Sequence, residues 1–196
     1  MLLDGGSRVF YIPIILGSTR RGRQSAKVAR FVEGRMKKSE RIETEILDLL
    51  DYNFPMMEER LRLRDDAPPR VVEFSGKIAR ADSVVIISPE YNNGYPGVLK
   101  NALDYLGPRE YQRKPFGIVT VSGGGFGGLH ALSQLRLVTL GMGAFPLPAS
   151  LPFSRVQDVF EENGTLKELV YEKRADAFIA EVLWFTEAIA AQKAKE

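Results

Sequence analysis

The sequence predicts an α/β fold in which one parallel sheet is covered by helices on both faces. Three observations carry this. Short apolar runs, at 14–16, 83–88 and 116–121, alternate with longer segments of helical period. The runs are apolar at nearly every position, as parallel strands buried on both sides require. Turns rich in glycine and hydroxyl residues follow the runs, at the strand ends where such folds bind ligands.

Taken in order, Met1 to Ser7 reads as a loose leader. Val9 to Leu16 is the first strand. Pro13 has no ladder N–H and belongs at a bulge or near the strand's start, with Ile14 to Leu16 as the secure part. Ala26 to Lys38 follows as a helix with Val28, Ala29, Val32 and Met36 at helical spacing, and Thr44 to Asp48 is a short second strand. Leu49 to Arg70, a stretch of about 20 residues with Pro55, Pro68 and Pro69, reads as a long loop, of a kind that is either disordered or functional. Arg70 to Arg80 is a helix with Val71, Val72, Phe74, Ile78 and Ala79 on or near one face. Ser83 to Ser88 is the third strand, and Val98 to Leu106 a helix with an apolar stripe of Val98, Leu99, Ala102, Leu103 and Leu106.

Phe116 to Val121 is the fourth strand and Leu129 to Leu140 an apolar helix. Ala144 to Leu147 is a brief fifth strand, after which Pro146, Pro148 and Pro152 predict a loop. Lys167 to Lys193 closes the chain as a long helix burying Ala175, Phe178, Ile179, Val182, Phe185 and Ile189. Five strands alternating with helices through right-handed crossovers fit a flavodoxin-like three-layer sandwich of order 2-1-3-4-5. In that order the ligand crevice opens at the carboxyl ends of the first and third strands. At 196 residues and 44% hydrophobic content, residues 1–196 are expected to form a single domain.

Composition removes several function classes. Lysine and arginine number 27 against 25 acidic residues, a net charge of +2, so no large field draws the chain to nucleic acid or membrane. The absence of cysteine excludes disulfides, thiolate metal sites and thiol nucleophiles. A single histidine, His130, argues against a histidine-rich metal site or a Ser/His triad, and it reads as a surface or packing residue. The first apolar run lacks a signal-peptide cleavage site, and no segment approaches the roughly 20 apolar residues that span a bilayer. A soluble cytoplasmic protein is the expectation.

The chemistry concentrates in Ile14 to Ser25, which joins a buried strand to a helix. Gly17, the hydroxyls of Ser18, Thr19 and Ser25, and the cations Arg20, Arg21 and Arg23 surround a helix start whose first N–H groups are unpaired. Such a turn suits a phosphate dianion. The 2-1-3-4-5 order sets a second loop beside it, Ser88 to Pro96. Asn92, Asn93 and Gly94 tolerate left-handed backbone there and can turn N–H groups toward a flat ring, with Tyr91 and Tyr95 as aromatic neighbours. The third loop, Ser122-Gly123-Gly124-Gly125, lets backbone approach a ligand closely.

With these residues in view, the chain resembles the NADPH-dependent FMN reductase family of flavodoxin-like oxidoreductases. The resemblance rests on GSTR at 17–20, PEYN at 89–92 and PGVLKNALDYL at 96–106, with element order agreeing from Val9 to about Leu147. It implies bound FMN, with Ser18, Arg20 and the start of the first helix on the phosphate. It also implies Pro89, Glu90, Tyr91 and Asn92 along the isoalloxazine ring, and Ser122, Gly123 and Gly124 at its other edge. Many members carry a small hydroxyl residue three positions after the arginine, where this chain has Arg23. The phosphate is then shared among Arg20, Arg23, Gln24 and Ser25 in a way the sequence leaves open.

No catalytic acid, base or metal is needed, because the flavin carries the chemistry. Candidate donors to the reduced ring are the backbone N–H groups of 92–94 or 123–125. Glu90 either touches the cofactor or braces its loop by accepting backbone N–H bonds. Asn101 and Lys100 support the loop from the helix below, and Met56 and Met57 anchor the long loop. The string Gly123 to Gly128 also satisfies G-x-G-x-x-G, but no acidic residue lies between Leu129 and Gln157 to hold a ribose, which argues against a dinucleotide fingerprint.

The implied activity is hydride transfer from NADPH or NADH to FMN and then, in alternating steps, to a small acceptor: free flavin, a quinone, an azo compound or a metal oxyanion. A homodimer or homotetramer built around 98–106 is implied as well. The rival reading is a flavodoxin-like electron carrier without nicotinamide turnover, against which the near-neutral charge argues.

Overall fold

The computed structural model describes residues 8–195, so the leader expected over Met1 to Ser7 lies outside the described residues. Pro13 splits the first apolar run. Ahead of it β1 (Phe10–Tyr11) pairs in parallel with residues 42–43, and behind it β2 (Ile14–Leu16) pairs with residues 46–48. Those partners are β3 (Ile42–Glu43) and β4 (Ile46–Asp48). Pro13 stays tied to the sheet through its carbonyl, which accepts from the Val85 N–H at 3.0 Å. β5 (Val84–Pro89), β6 (Pro115–Val121) and β7 (Phe145–Phe153) complete a five-stranded parallel sheet of order β4-β2-β5-β6-β7.

The helices are α1 (Ser25–Met36), α2 (Leu49–Tyr52), α3 (Pro69–Arg80), α4 (Gly97–Asp104), α5 (Pro108–Tyr111), α6 (Leu129–Gly141), α7 (Val156–Val159) and α8 (Val170–Lys193). Strand side chains alternate between two apolar clusters, one on each face of the sheet. Ile14, Leu16, Val85, Ile87, Val119 and Val121 meet Val28 and Val32 of α1 and Phe178 and Val182 of α8. Ile15, Val84, Ile86, Phe116 and Ile118 meet Phe74 of α3, Leu99 of α4 and Leu135 of α6. Both faces are therefore dry, which is why the strands lack polar alternation.

The structure corrects the sequence reading at several places. The loop predicted after Leu147 is instead the second half of β7, nine residues long. β7 is an edge strand, so half of its N–H groups need no partner in the sheet. Phe145 N–H donates to Lys114 and the Phe153 carbonyl accepts from Ser122, so alternation turns the nitrogens of Pro146 and Pro152 outward. Leu49 to Arg70 is not wholly loop: Asp48 caps α2 by accepting the Leu50 N–H at 2.9 Å, and residues 61–63 make a 3-10 turn. Val72 and Val98 are exposed, while Phe185 and Ile189 are only half-buried because Thr186 takes the inner position on α8. Among the described residues no helix is long and apolar enough to cross a membrane.

One buried charge makes a prediction about the fold. Lys114, just before β6, is buried and its ammonium donates to the carbonyls of Ile78 and Ala79 at the end of α3. Loss of hydration, together with repulsion from Lys193, pushes its pKa down to about 8 from the usual 10.5. The folded chain therefore gives up this proton before the unfolded chain does, and stability rises as pH climbs above 8. The rise is about 1 kcal/mol between pH 8 and 9. Urea midpoints across that interval should climb for the wild type and stay flatter for Lys114→Met; parallel curves would contradict the assignment.

Candidate active site

The turn after β2 is fixed by close packing. Gly17 N–H donates to the Ile87 carbonyl at 2.9 Å, and a Cβ at Gly17 would sit 2.8 Å from Leu99 Cδ2 and 3.2 Å from the Ile87 oxygen. Only glycine lets α4 approach the strand end so closely. The buried Ser18 hydroxyl lies 2.8 Å from the Tyr91 hydroxyl and accepts from the Arg20 N–H at 3.4 Å. Phosphate-type turn and ring-type loop are thereby tied directly together.

The three arginines of the turn divide into two roles. Arg23 donates to the Ser18 carbonyl and pairs with Asp48, and both side chains are largely buried. Its guanidinium braces the turn from behind. Arg20 and Arg21 remain exposed, with the Arg20 guanidinium 5.9 Å from the Tyr91 ring centre. Beside them α1 begins at Ser25, whose first N–H groups have no intrahelical acceptor. The Ser25 hydroxyl is buried and has no hydrogen-bond partner. An orphaned buried donor costs about 1–3 kcal/mol and marks a place where a ligand oxygen fits.

The second loop turns back on itself. Tyr91 and Gly94 exchange N–H···O bonds of 2.8 and 3.0 Å, with Asn92 and Asn93 at φ +49° and +63°. That is a tight hairpin turn with left-handed backbone at both central residues. The Gly94 N–H is used in closing it, and the Gly124 N–H is bound by Ser122 Oγ at 3.0 Å. Donors to a ring are thus narrowed to Asn92, Asn93, Gly123 and Gly125. Glu90 accepts the His130 and Ala131 N–H groups at 2.9 and 3.1 Å, capping α6 at its positive end. The exposed His130 ring lies 3.6 Å from the other Glu90 oxygen. Of the two roles open to Glu90 in the sequence, bracing is the one its bonds show.

These elements enclose a cavity of about 290 Å³ at the carboxyl ends of β2, β5 and β6. Arg20, Arg23, Gln24 and Ser25 line one side, and Pro89, Glu90 and Tyr91 the next. Ser122 and Gly123 complete the sequence-predicted wall. Ser18 lies beneath, bonded to Tyr91, while Asn92 sits at the exposed tip of the turn and Gly124 outside the lining. Arg21, Gly22, Val121, Val156 and Gln157 join the lining without having been singled out as ligands. The last two arrive on α7, which follows the part of β7 that prolines disguised. Met56 is exposed, whereas the half-buried Met57 packs against the core and its N–H is bound by Asn101 Oδ1 at 2.8 Å.

Fold and cavity together define a flavodoxin-like α/β protein with a cationic, helix-capped pocket at its strand ends. A family profile described as NADPH-dependent FMN reductase matches residues 11–158, and the chain belongs to that family. It is similar to a quinone reductase of Pseudomonas putida, 35% identical over 172 residues that cover 83% of this chain and 87% of the relative. An NADPH azoreductase of a Bacillus species is 32% identical over 135 residues, 69% of this chain and 71% of that one. Among solved structures, the flavoenzyme NAD(P)H:(acceptor) oxidoreductase of Paracoccus denitrificans superposes with a TM-score of 0.75 at 26% identity, covering 91% of this chain and 98% of that one. Family membership makes the chain an oxidoreductase of the FMN- and NADPH-dependent type.

Proposed function

We propose that the cavity holds FMN, that NADPH or NADH reduces it, and that a small acceptor then takes the electrons in an alternating, ping-pong sequence. The observation that carries the cofactor's placement is the buried, partnerless Ser25 hydroxyl at the start of α1, beside Arg20. A phosphate dianion there would take the hydroxyl, the first α1 N–H groups and the Arg20 guanidinium at once. When bound, FMN supplies hydride acceptance and donation. The chain's own residues bind and orient. Ser18 and Tyr91 hold the two loops in register, Glu90 and the α6 cap fix the loop carrying Pro89, Tyr91 and Asn92, and Ser122 and Gly123 line the wall at the ring's far edge, with Gly124 behind them and its N–H on the Ser122 hydroxyl. The N–H groups of Asn92, Asn93, Gly123 and Gly125 are the donors available to stabilise charge on a reduced ring.

The same reading takes the short β1–β3 pair as the leading ends of β2 and β4, so that the sheet counts 2-1-3-4-5 within a single domain. It places the chain in the cytoplasm, where nicotinamide reductant is made. It also gives the chain a homodimeric or homotetrameric state, supported by exposed Val98 on α4 and exposed Leu137 and Leu140 on α6. The acceptor is drawn from quinones, azo compounds, free flavin or metal oxyanions, and quinone and azo-compound reduction are the activities named for the two relatives.

The test is an anaerobic visible spectrum of the FMN-reconstituted protein before and after nicotinamide. Rapid bleaching of the flavin bands by NADPH or NADH is expected. Bleaching by dithionite alone would instead favour an electron carrier, and loss of flavin on desalting would contradict the cofactor assignment.

A further inference from the structure

The opposite end of the sheet carries another cationic cavity, of about 380 Å³. It lies at the amino ends of the strands, where Arg8 precedes β1, Asp82 precedes β5 and Lys114 precedes β6. β5 and β6 are six and seven residues long, so about 20 Å of strand separates this cavity from the one at the carboxyl ends. The last turns of α3 and α8 form its sides through Ala79, Arg80 and Lys193. Five cations line it, Arg8, Arg80, Arg109, Lys114 and Lys193, against one carboxylate, Asp82.

The buried cation has no counter-ion. Lys114 is only 4% exposed, and its ammonium donates to the Ile78 and Ala79 carbonyls, which carry partial charge only. Two acidic groups are near enough to attract it, yet both are occupied elsewhere. Asp82 accepts from the Arg8 guanidinium at 2.8 Å and the Tyr11 N–H at 3.0 Å, and Glu110 from the Ser75 hydroxyl at 3.1 Å and the Gly107 N–H at 2.9 Å. The neighbour across the cavity, Lys193, repels it. Buried charges are ordinarily paired, and an ammonium with two bonds has a third N–H to give. We propose that this cavity binds a small, multiply charged phosphate anion, which supplies the counter-charge for Lys114 and is gripped at the rim by Arg109 and Lys193.

Charge and size select the occupant. Arg109 and Lys193 are exposed and have no acidic partner among the described residues, so both are open to a ligand. Arg80 is partly engaged, over the Tyr11 ring and 3.4 Å from Glu43. A phosphate group offers oxygens in several directions, so it can meet the Lys114 ammonium and the Arg109 fork together. The volume lies within the roughly 300–1,000 Å³ typical of small-molecule sites. Nucleic acid would need an extended basic face, which a net charge of +2 does not favour.

The test is calorimetric titration with inorganic pyrophosphate at pH 7 and low salt, using FMN-loaded protein so that the turn after β2 is already filled. Arg109→Gln and Lys193→Gln remove rim charges at exposed positions, Lys114→Met removes the buried one, and Lys38→Gln removes an exposed charge outside the cavity. The wild type should bind one pyrophosphate per chain. Each cavity variant should bind it about tenfold or more weakly, Lys38→Gln should match the wild type, and the FMN dissociation constant should move in none of them. Should Lys114→Met fail to fold, the two rim variants decide the matter. Wild-type protein that binds no pyrophosphate would overturn the site. Equal losses in Lys38→Gln and Lys193→Gln would overturn it in favour of a general surface field. Binding lost in Arg20→Ala but kept in Lys193→Gln would overturn it by placing the anion at the turn after β2.

Discussion

Arg20→Ala should weaken FMN binding by about 10- to 150-fold, the loss of a charged hydrogen bond worth roughly 1.5–3 kcal/mol. The structure separates this residue from its neighbour in a way that composition does not. Arg23 is already committed to Asp48 and to the Ser18 carbonyl, so its charge is neutralised within the protein. Arg20, like Arg21, is exposed at the rim of the same cavity, and it is the one that lies close to Tyr91. Lysine at position 20 should restore only part of the affinity, because a point charge cannot bond a phosphate bidentately. Flavin fluorescence quenching gives the dissociation constant, and an unchanged value would show that Arg20 is not a phosphate ligand.

Ser25→Ala should act with opposite signs on the two forms of the protein. Without FMN the variant sheds a buried hydroxyl that has no partner, and alanine is the better helix former at the start of α1. The FMN-free protein should therefore gain about 1 kcal/mol in urea unfolding. With FMN the variant lacks a hydroxyl donor to a charged phosphate, and affinity should fall about tenfold or more. A stability loss in the FMN-free form would mean that the hydroxyl serves the fold instead of the ligand.

The readable parts of the chain were those governed by local chemistry. The Gly17 to Ser25 turn declares itself through a glycine, hydroxyls and cations between a buried strand and a helix. The Asn92-Asn93 pair declares its left-handed turn, because few other residues adopt that backbone at adjacent positions. The unreadable parts depend on which neighbour lies across the fold. β7 looked like a loop because proline forbids a ladder bond, and only its edge position makes the missing bonds harmless. The ion pair that Arg23 makes with Asp48, 25 positions away, has no signal in the sequence. Glu90 left two roles open until α6 was seen to start at its carboxylate. Val156 and Gln157 reach the cavity only because β7 runs its full length.

The central claim is that the turn after β2 is a phosphate site, and the most direct measurement compares FMN with riboflavin, which differs only in lacking the phosphate. Two or more charged hydrogen bonds at about 1.5–3 kcal/mol each predict that the wild type binds FMN about 10²–10⁴-fold more tightly. In Arg20→Ala that ratio should shrink. Equal affinities for the two flavins in the wild-type protein would contradict the account.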